Sequence, residues 1–185
     1  MEIIKTPLSG CFLLRNKLFY DGRGYFFESF NHQKFCDLTG WQGNFVQDNQ
    51  SESEFGVVRG LHFQKGDYAQ AKLVRVIKGK VLDVAVDLRP DSPTKGQHYT
   101  AVLSDDNENQ LFIPRGFAHG FAVLSPTATF FYKCDNYYNK ASEGGLHPFD
   151  PTLDIDWMID PKASKLSEKD LNAMSFGQFL ASEGN

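Results

Sequence analysis

Cysteine is scarce in this 185-residue chain: the three present, Cys11, Cys36 and Cys134, are odd in number and show no C-x-x-C spacing. That argues against a disulfide framework or a structural zinc site and favours a reducing compartment. No run approaches the roughly 20 apolar residues of a transmembrane helix, so no membrane partner is expected. Positive charge is also short. Lys and Arg number 19 against 23 Asp and Glu, for a net charge of −4, which speaks against a general nucleic-acid binder. Any phosphate site must then be a local cluster of Arg and Lys. The N-terminal Met-Glu-Ile-Ile-Lys stretch has no basic segment leading into a long apolar one, so no secretory signal is read and a cytoplasmic setting is expected. Repeats, low-complexity tracts and linker-like stretches are missing, which leaves one domain over residues 1–185 as the expectation.

Phenylalanine, by contrast, is abundant: 17 residues, beside 7 Tyr and 2 Trp. Aromatic and β-branched residues suit pleated, half-buried surfaces. Short apolar runs separated by Gly, Pro, Asp and Asn predict strands over Cys11 to Arg15, Leu73 to Ile77, Val81 to Leu88, His98 to Leu103, Gln110 to Ile113, Gly120 to Leu124 and Thr127 to Asp135. The mostly apolar Val81 to Leu88 reads as a central strand, and Lys78-Gly79-Lys80 as a tight hairpin turn. Two short helices are predicted. One covers Asn31 to Leu38, with Asn31 as N-cap and Gly40 past its end. The other opens at Ser167 and runs to about Ala173. The expected fold is all-β, a closed antiparallel barrel or double-sheet jelly roll with a few short peripheral helices.

Two of the five histidines have informative neighbours. His119 ends Pro114-Arg115-Gly116-Phe117-Ala118-His119, a P-x-G-x-x-H pattern that resembles the second motif of the cupin superfamily of small jelly-roll barrels. His62 lies in Arg59-Gly60-Leu61-His62-Phe63-Gln64. Metal-binding cupins carry H-x-H at the first motif, whereas here Gln64 holds the second position and Lys72 lies nearby. An amide is a poor ligand and an ammonium is awkward beside a divalent ion, so a metal-free barrel is expected. A histidine in a barrel is often satisfied by core hydrogen bonds. Arg59, Lys72 and Arg75 close by instead suit an anionic substrate undergoing proton transfer. Arg59 and His62, three apart, cannot share one face of a regular strand, so a bend or bulge near Gly60 is implied. Asp21-Gly22-Arg23-Gly24-Tyr25-Phe26-Phe27-Glu28 reads equally as a phosphate-and-base clamp or as a turn with an exposed Arg.

Together these motifs make the chain resemble the dTDP-4-dehydrorhamnose 3,5-epimerase family, the RmlC-like sugar-nucleotide epimerases. The matching set, in family order from about residue 10 to residue 172, is Asp21 to Gly24 with Phe26 and Glu28; Gln47-Asp48-Asn49; Arg59 to Gln64; Lys72; Pro114 to Phe121; Tyr132 with Tyr138; Asp150-Pro151 with Asp156-Trp157; and Leu166 to Asp170. The resemblance implies a cupin-like jelly roll that inverts C3 and C5 of a nucleotide-linked 4-keto-6-deoxy sugar without a cofactor. It also implies a homodimer whose N-terminal strands reach the partner's sheet.

By the same resemblance His62 is the general base, Asp170 the carboxylate that orients it, Lys72 the cation beside the C4 oxyanion and Tyr132 the general acid. Arg59 and His119 contact sugar or phosphates, and Arg23, Phe26, Glu28, Gln47, Asn49 and Tyr138 hold the nucleotide. Each residue type also has a plainer reading. Ser167-x-x-Asp170 is a helix-capping pattern, Tyr132 fits a core aromatic, and a strand lysine is usually solvated. Departures from the family pattern occur after Tyr138 and at His147-Pro148-Phe149, near where the nucleotide is expected. Alternatives are a 3-only or 5-only epimerase on a related sugar, a non-catalytic sugar-nucleotide binder, and a metal-dependent cupin enzyme.

Overall fold

Apolar side chains recur at every second position along the middle of the chain, and in places at every position. Such runs pair into sheets whose inner faces, and much of whose outer faces, are buried. In the computed structural model, which describes residues 1–183, the strands in chain order are β1 (Glu2–Lys5), β2 (Phe12–Arg15), β3 (Phe19–Asp21), β4 (Gly24–Phe26), β5 (Gln47–Glu54), β6 (Val58–Gln64), β7 (Lys72–Lys78), β8 (Lys80–Asp87), β9 (His98–Ser104), β10 (Gln110–Ile113), β11 (Phe117–Val123), β12 (Thr127–Cys134) and β13 (Glu143–Gly145). The α-helices are α1 (His32–Thr39), α2 (Glu168–Leu171) and α3 (Phe176–Glu183). Residues 184 and 185 of the expected domain lie outside the described residues.

One sheet has the order β1-β2-β10-β7-β12-β5 and the other β13-β6-β11-β8-β9, with β3 and β4 forming a separate hairpin. Every strand pair is antiparallel. The two large sheets face each other across one core. Val74, Val76, Leu111, Ile113, Ala128 and Phe130 from the first meet Val81, Ala85, Leu103, Phe117, Phe121 and Val123 from the second. This is the all-β, cupin-like antiparallel jelly-roll barrel expected from the sequence.

Both outer faces are also covered. Phe35 of α1, with Trp41 and Phe45, packs on Leu14, Leu73 and Phe112 outside the first sheet. Leu153, Trp157, Phe176 and Phe179 cover Leu82, Val84 and Val86 outside the second. Burial on both faces is why β8 reads as a mostly apolar run rather than an alternating one. The caps of α1 are as expected: the Asn31 side chain accepts from the Lys34 N–H, and Gly40 takes a left-handed φ of 72° while donating to the Cys36 carbonyl.

Three expectations need correction. The turn at Lys78-Gly79-Lys80 is tight, with Gly79 at φ 84°, but it carries the chain from one sheet to the other, so β7 and β8 are not a hairpin. The strand expected from Gly120 begins three residues earlier, at Phe117, because Phe117 and His119 continue the inward alternation. A further helix, α3, follows α2, its Phe176 and Phe179 docking on the outer layer of the second sheet.

Candidate active site

Glycine shapes one wall of the site. Gly60 sits at φ 124°, in a region an L side chain rarely adopts. Opposite it, the register jumps: His119 pairs with His62 and Phe121 with Arg59, so β6 spends three residues where β11 spends two. This is the bulge implied by the Arg59–His62 spacing. It turns both side chains toward the same cavity, together with His119.

Strand alternation builds the facing wall. Val74 and Val76 of β7 point into the core, so Lys72 points the same way at the strand's start. On β12 the inward set is Ala128, Phe130, Tyr132 and Cys134, and Cys134 pairs with Lys72 in register. The Lys72 ammonium stands 5.7 Å from the centre of the Tyr132 ring. On β5, Asn49 and Ser51 complete a cavity of about 260 Å³ that His62, Arg59 and His119 line from one sheet and Lys72 and Tyr132 from the other. Ligand pockets commonly measure roughly 300–1,000 Å³. This one suits a single sugar ring, and a nucleotide attached to that ring must lie outside it.

Burial sets the electrostatics. It pushes the Tyr132 phenol above its usual range, so the hydroxyl keeps its proton. It also pulls the Lys72 ammonium below its usual range, with weaker opposition from the Asp83 and Glu143 carboxylates. The Cys134 thiol is raised by burial to about 11 and stays neutral. His119 is lowered by burial against the pull of Asp83, whose carboxylate accepts from Nε2 at 2.9 Å.

His62 Nε2 lies 2.6 Å from Asp170 Oδ1, across 108 residues of sequence. With Nε2–H given to Asp170, Nδ1 is the nitrogen left to take a proton. The imidazole is 32% exposed and the carboxylate 5%. Burial alone would raise Asp170, but its bond to His62 and the His62 charge outweigh this and hold it low. The capping reading of Asp170 is also realised, by a different atom. Ser167 Oγ accepts from the Asp170 backbone N–H at 3.1 Å, which leaves the carboxylate free for His62.

The remaining sequence-derived candidates divide. Arg59 lines the cavity and donates Nε–H to Ser53 at 3.0 Å. Gln47 donates to Asn49 Oδ1 and accepts from the Tyr138 N–H. Tyr138 is exposed, its hydroxyl donating to Glu143 at 3.1 Å, and neither it nor Gln47 lines the cavity itself. Arg23, Phe26 and Glu28 are not brought to this cavity. Arg23 is 91% exposed on the β3–β4 hairpin, paired with Asp21, and Phe26 is exposed beside it. Glu28 is paired with Lys34 at 2.8 Å. His147-Pro148-Phe149 does not line the cavity either. Phe149 packs on Trp157 in the outer layer, and Trp157 donates to the Pro148 carbonyl, so this departure from the family pattern concerns packing.

Two features escape a reading of sequence. Asp83 holds His119, and the signal for it was there: one carboxylate inside an apolar strand must have a buried partner. Glu143 and Lys169 form an ion pair beside His62 at a second opening, lined by Gly144, Gly145 and Asp170, and nothing local in their sequence marks them.

The model of the family described as dTDP-4-dehydrorhamnose 3,5-epimerase matches residues 5–178. The enzyme of that name from Salmonella typhimurium is 49% identical over 183 residues, covering 99% of this chain and all of its own. The crystal structure of the Elizabethkingia anophelis enzyme is similar at a TM-score of 0.93 and 55% identity, covering 96% of this chain and 97% of the other. The Legionella pneumophila enzyme, solved in complex with dTDP-4-keto-L-rhamnose, matches at a TM-score of 0.93 and 45% identity over 98% and 95% of the two chains.

Proposed function

From the membership of this chain in the dTDP-4-dehydrorhamnose 3,5-epimerase family, we propose that it inverts C3 and C5 of a dTDP-linked 4-keto-6-deoxyglucose by proton transfer between His62 and Tyr132. One observation carries the assignment of roles: an imidazole and a phenol approach one cavity from opposite sheets, with an ammonium beside the phenol.

The C4 ketone acidifies the hydrogens on C3 and C5. His62, held by Asp170, removes one as general base through Nδ1. The electron pair moves to the C4 oxygen, and the Lys72 ammonium stabilises the enolate. Tyr132 gives its proton to the same carbon from the other face, which inverts the centre. Burial of Tyr132 favours its neutral form, so it begins each cycle charged with a proton. His119, kept neutral by burial, and Arg59 bind the sugar hydroxyls and phosphates. The cycle closes when the imidazolium returns its proton to the phenolate through solvent, which reaches the partly exposed His62.

The small cavity and the exposed hairpin support a shared site. Phe19, Tyr20, Tyr25 and Phe26 are each at least half exposed on β3 and β4. An apolar patch of this kind is an interaction surface. In a homodimer it would carry Arg23, Phe26 and Glu28 to the neighbour's cavity, where the nucleotide emerges beside Gln47, Asn49 and Tyr138. A substrate activated on a nucleoside diphosphate supports a cytoplasmic site of action. No helix among the described residues is long and apolar enough to cross a membrane.

The test is incubation with dTDP-4-keto-6-deoxyglucose in heavy water. Deuterium at both C3 and C5 is expected, and His62→Ala should slow it by roughly 10²–10⁴-fold. Exchange at one carbon alone would select a mono-epimerase, and none at either carbon would overturn the reading.

A further inference from the structure

Gln64 ends β6 on the same face as His62, two residues on. It is 8% exposed, and its amide is fully engaged. Nε2 donates to the carbonyls of Tyr68 at 2.7 Å and Tyr137 at 3.1 Å, while Oε1 accepts the Asn139 N–H at 2.7 Å. Two of these bonds grip the residues on either side of Tyr138. The N–H of Tyr138 itself goes to Gln47.

This segment has little apolar anchorage, since the side chains of Tyr137 and Tyr138 are both more than half exposed. Its course is set by polar contacts. Besides the two glutamines, Asn136 donates to the Asp67 carbonyl and Gln70 donates to the carbonyl of Asn136. The Asn139 side chain then caps the next turn, which leads into β13, where Glu143 pairs with Gln64 in register. Glu143 in turn receives the Tyr138 hydroxyl. Gln64 therefore fixes the residues on both sides of Tyr138 and lies across from the acceptor of its side chain.

We propose that Gln64 is a positioning residue: its buried amide holds the 136–139 segment so that Tyr138 presents its ring to the nucleotide. The inference rests on the reading of Tyr138 as a nucleotide-holding group. Gln64 does not touch the reacting carbons. Its loss leaves a carbonyl and an N–H unpaired in the segment, and the loop is then free to move away. His62, on the same strand but tied to Asp170, is unaffected.

The probe is dTDP, titrated by calorimetry, with turnover measured in parallel. Gln64→Met, close in shape but unable to donate, should weaken dTDP binding about tenfold, the scale of one lost hydrogen bond. At saturating substrate kcat should stay within about threefold of the parent enzyme, since the chemical groups are intact. In a Tyr138→Ala background the same change should have no further effect on dTDP affinity. Should Gln64→Met fail to give a cooperative melt, Gln64→Glu serves in its place, since it retains the acceptor for Asn139 and removes both donors. Unchanged dTDP affinity, a fall in kcat without a change in affinity, or additivity with Tyr138→Ala each overturns the proposal. If Tyr138→Ala alone leaves dTDP affinity unchanged, the nucleotide-holding reading of Tyr138 falls first. If it weakens binding and Gln64→Met does not, only the role of Gln64 falls.

Discussion

Gly60 and Gly120 meet backbone to backbone: a Cβ added to Gly60 would stand 2.5 Å from the Gly120 Cα and 2.8 Å from the His119 carbonyl oxygen. The approach is mutual, since a Cβ on Gly120 would stand 2.6 Å from the Arg59 carbonyl oxygen. No side chain fits between these strands, and Gly60 also needs its positive φ. Gly60→Ala should therefore cost at least about 2 kcal/mol of stability and move Arg59 and His62 out of line. Denaturant melts and kcat/KM together check this. A variant with parental stability and turnover would show that the bulge is not what aligns the two side chains.

The alkaline limb of the activity profile should belong to Lys72. Burial lowers the pKa of Lys72 from 10.5 and raises that of Tyr132 from 10.0, so the ammonium is lost earlier than a solvated lysine's and the phenol ionises later than a free tyrosine's. Activity should fall through a pKa below 10.5 as the enolate loses its cation. Lys72→Arg, charged at every accessible pH, should move that limb upward at a lower plateau. Lys72→Met should reduce kcat by roughly 10²–10³-fold, the scale for losing one oxyanion donor. A limb that stays in place in Lys72→Arg would assign it to another group.

A site shared between two subunits, as proposed, makes a prediction that one chain cannot satisfy alone. Arg23→Ala and His62→Ala subunits, each impaired in isolation, carry lesions that fall in one site of a mixed dimer and spare the other. Random mixing of equal amounts should restore about a quarter of parental activity. Mixtures no more active than the sum of the two parts would mean that Arg23 serves its own chain's cavity or none.

How legible this was from sequence depended on burial. Strand β8 announces itself because apolar residues fill its outward positions as well as Val81 and Ala85 inside, β12 because Ala128 and Phe130 fill inward positions, and α1 because Asn31 and Gly40 mark its ends. Strand β5, Gln47-Asp48-Asn49-Gln50-Ser51-Glu52-Ser53-Glu54, is invisible to such a reading. Its inner face lines a polar cavity and its outer face is largely exposed, so neither face demands apolar residues. Contacts such as His62–Asp170 and Asp83–His119 join distant residues through the strand order, which local periodicity does not encode. Family resemblance named His62, Lys72, Tyr132 and Asp170, and only the fold brings the four together.

Acid stability should depend on Asp87, away from the catalytic groups. Its carboxylate is fully buried and accepts from Arg89 Nε and Nη2, from Ser92 Oγ and from Thr94 Oγ1. Burial alone would raise its pKa, but these donors outweigh that and lower it from 3.8 to about 2. Because the folded value lies below the unfolded one, the stabilisation is complete above about pH 5 and is lost as the pH falls through about 2. The shift corresponds to roughly 2 kcal/mol. Guanidinium melts of the parent and of Asp87→Asn should therefore differ most at neutral pH, with the gap narrowing by about that amount toward pH 2. A gap that stays constant over this range would mean that the carboxylate's charge contributes nothing and that Arg89, Ser92 and Thr94 are held equally well by a neutral amide.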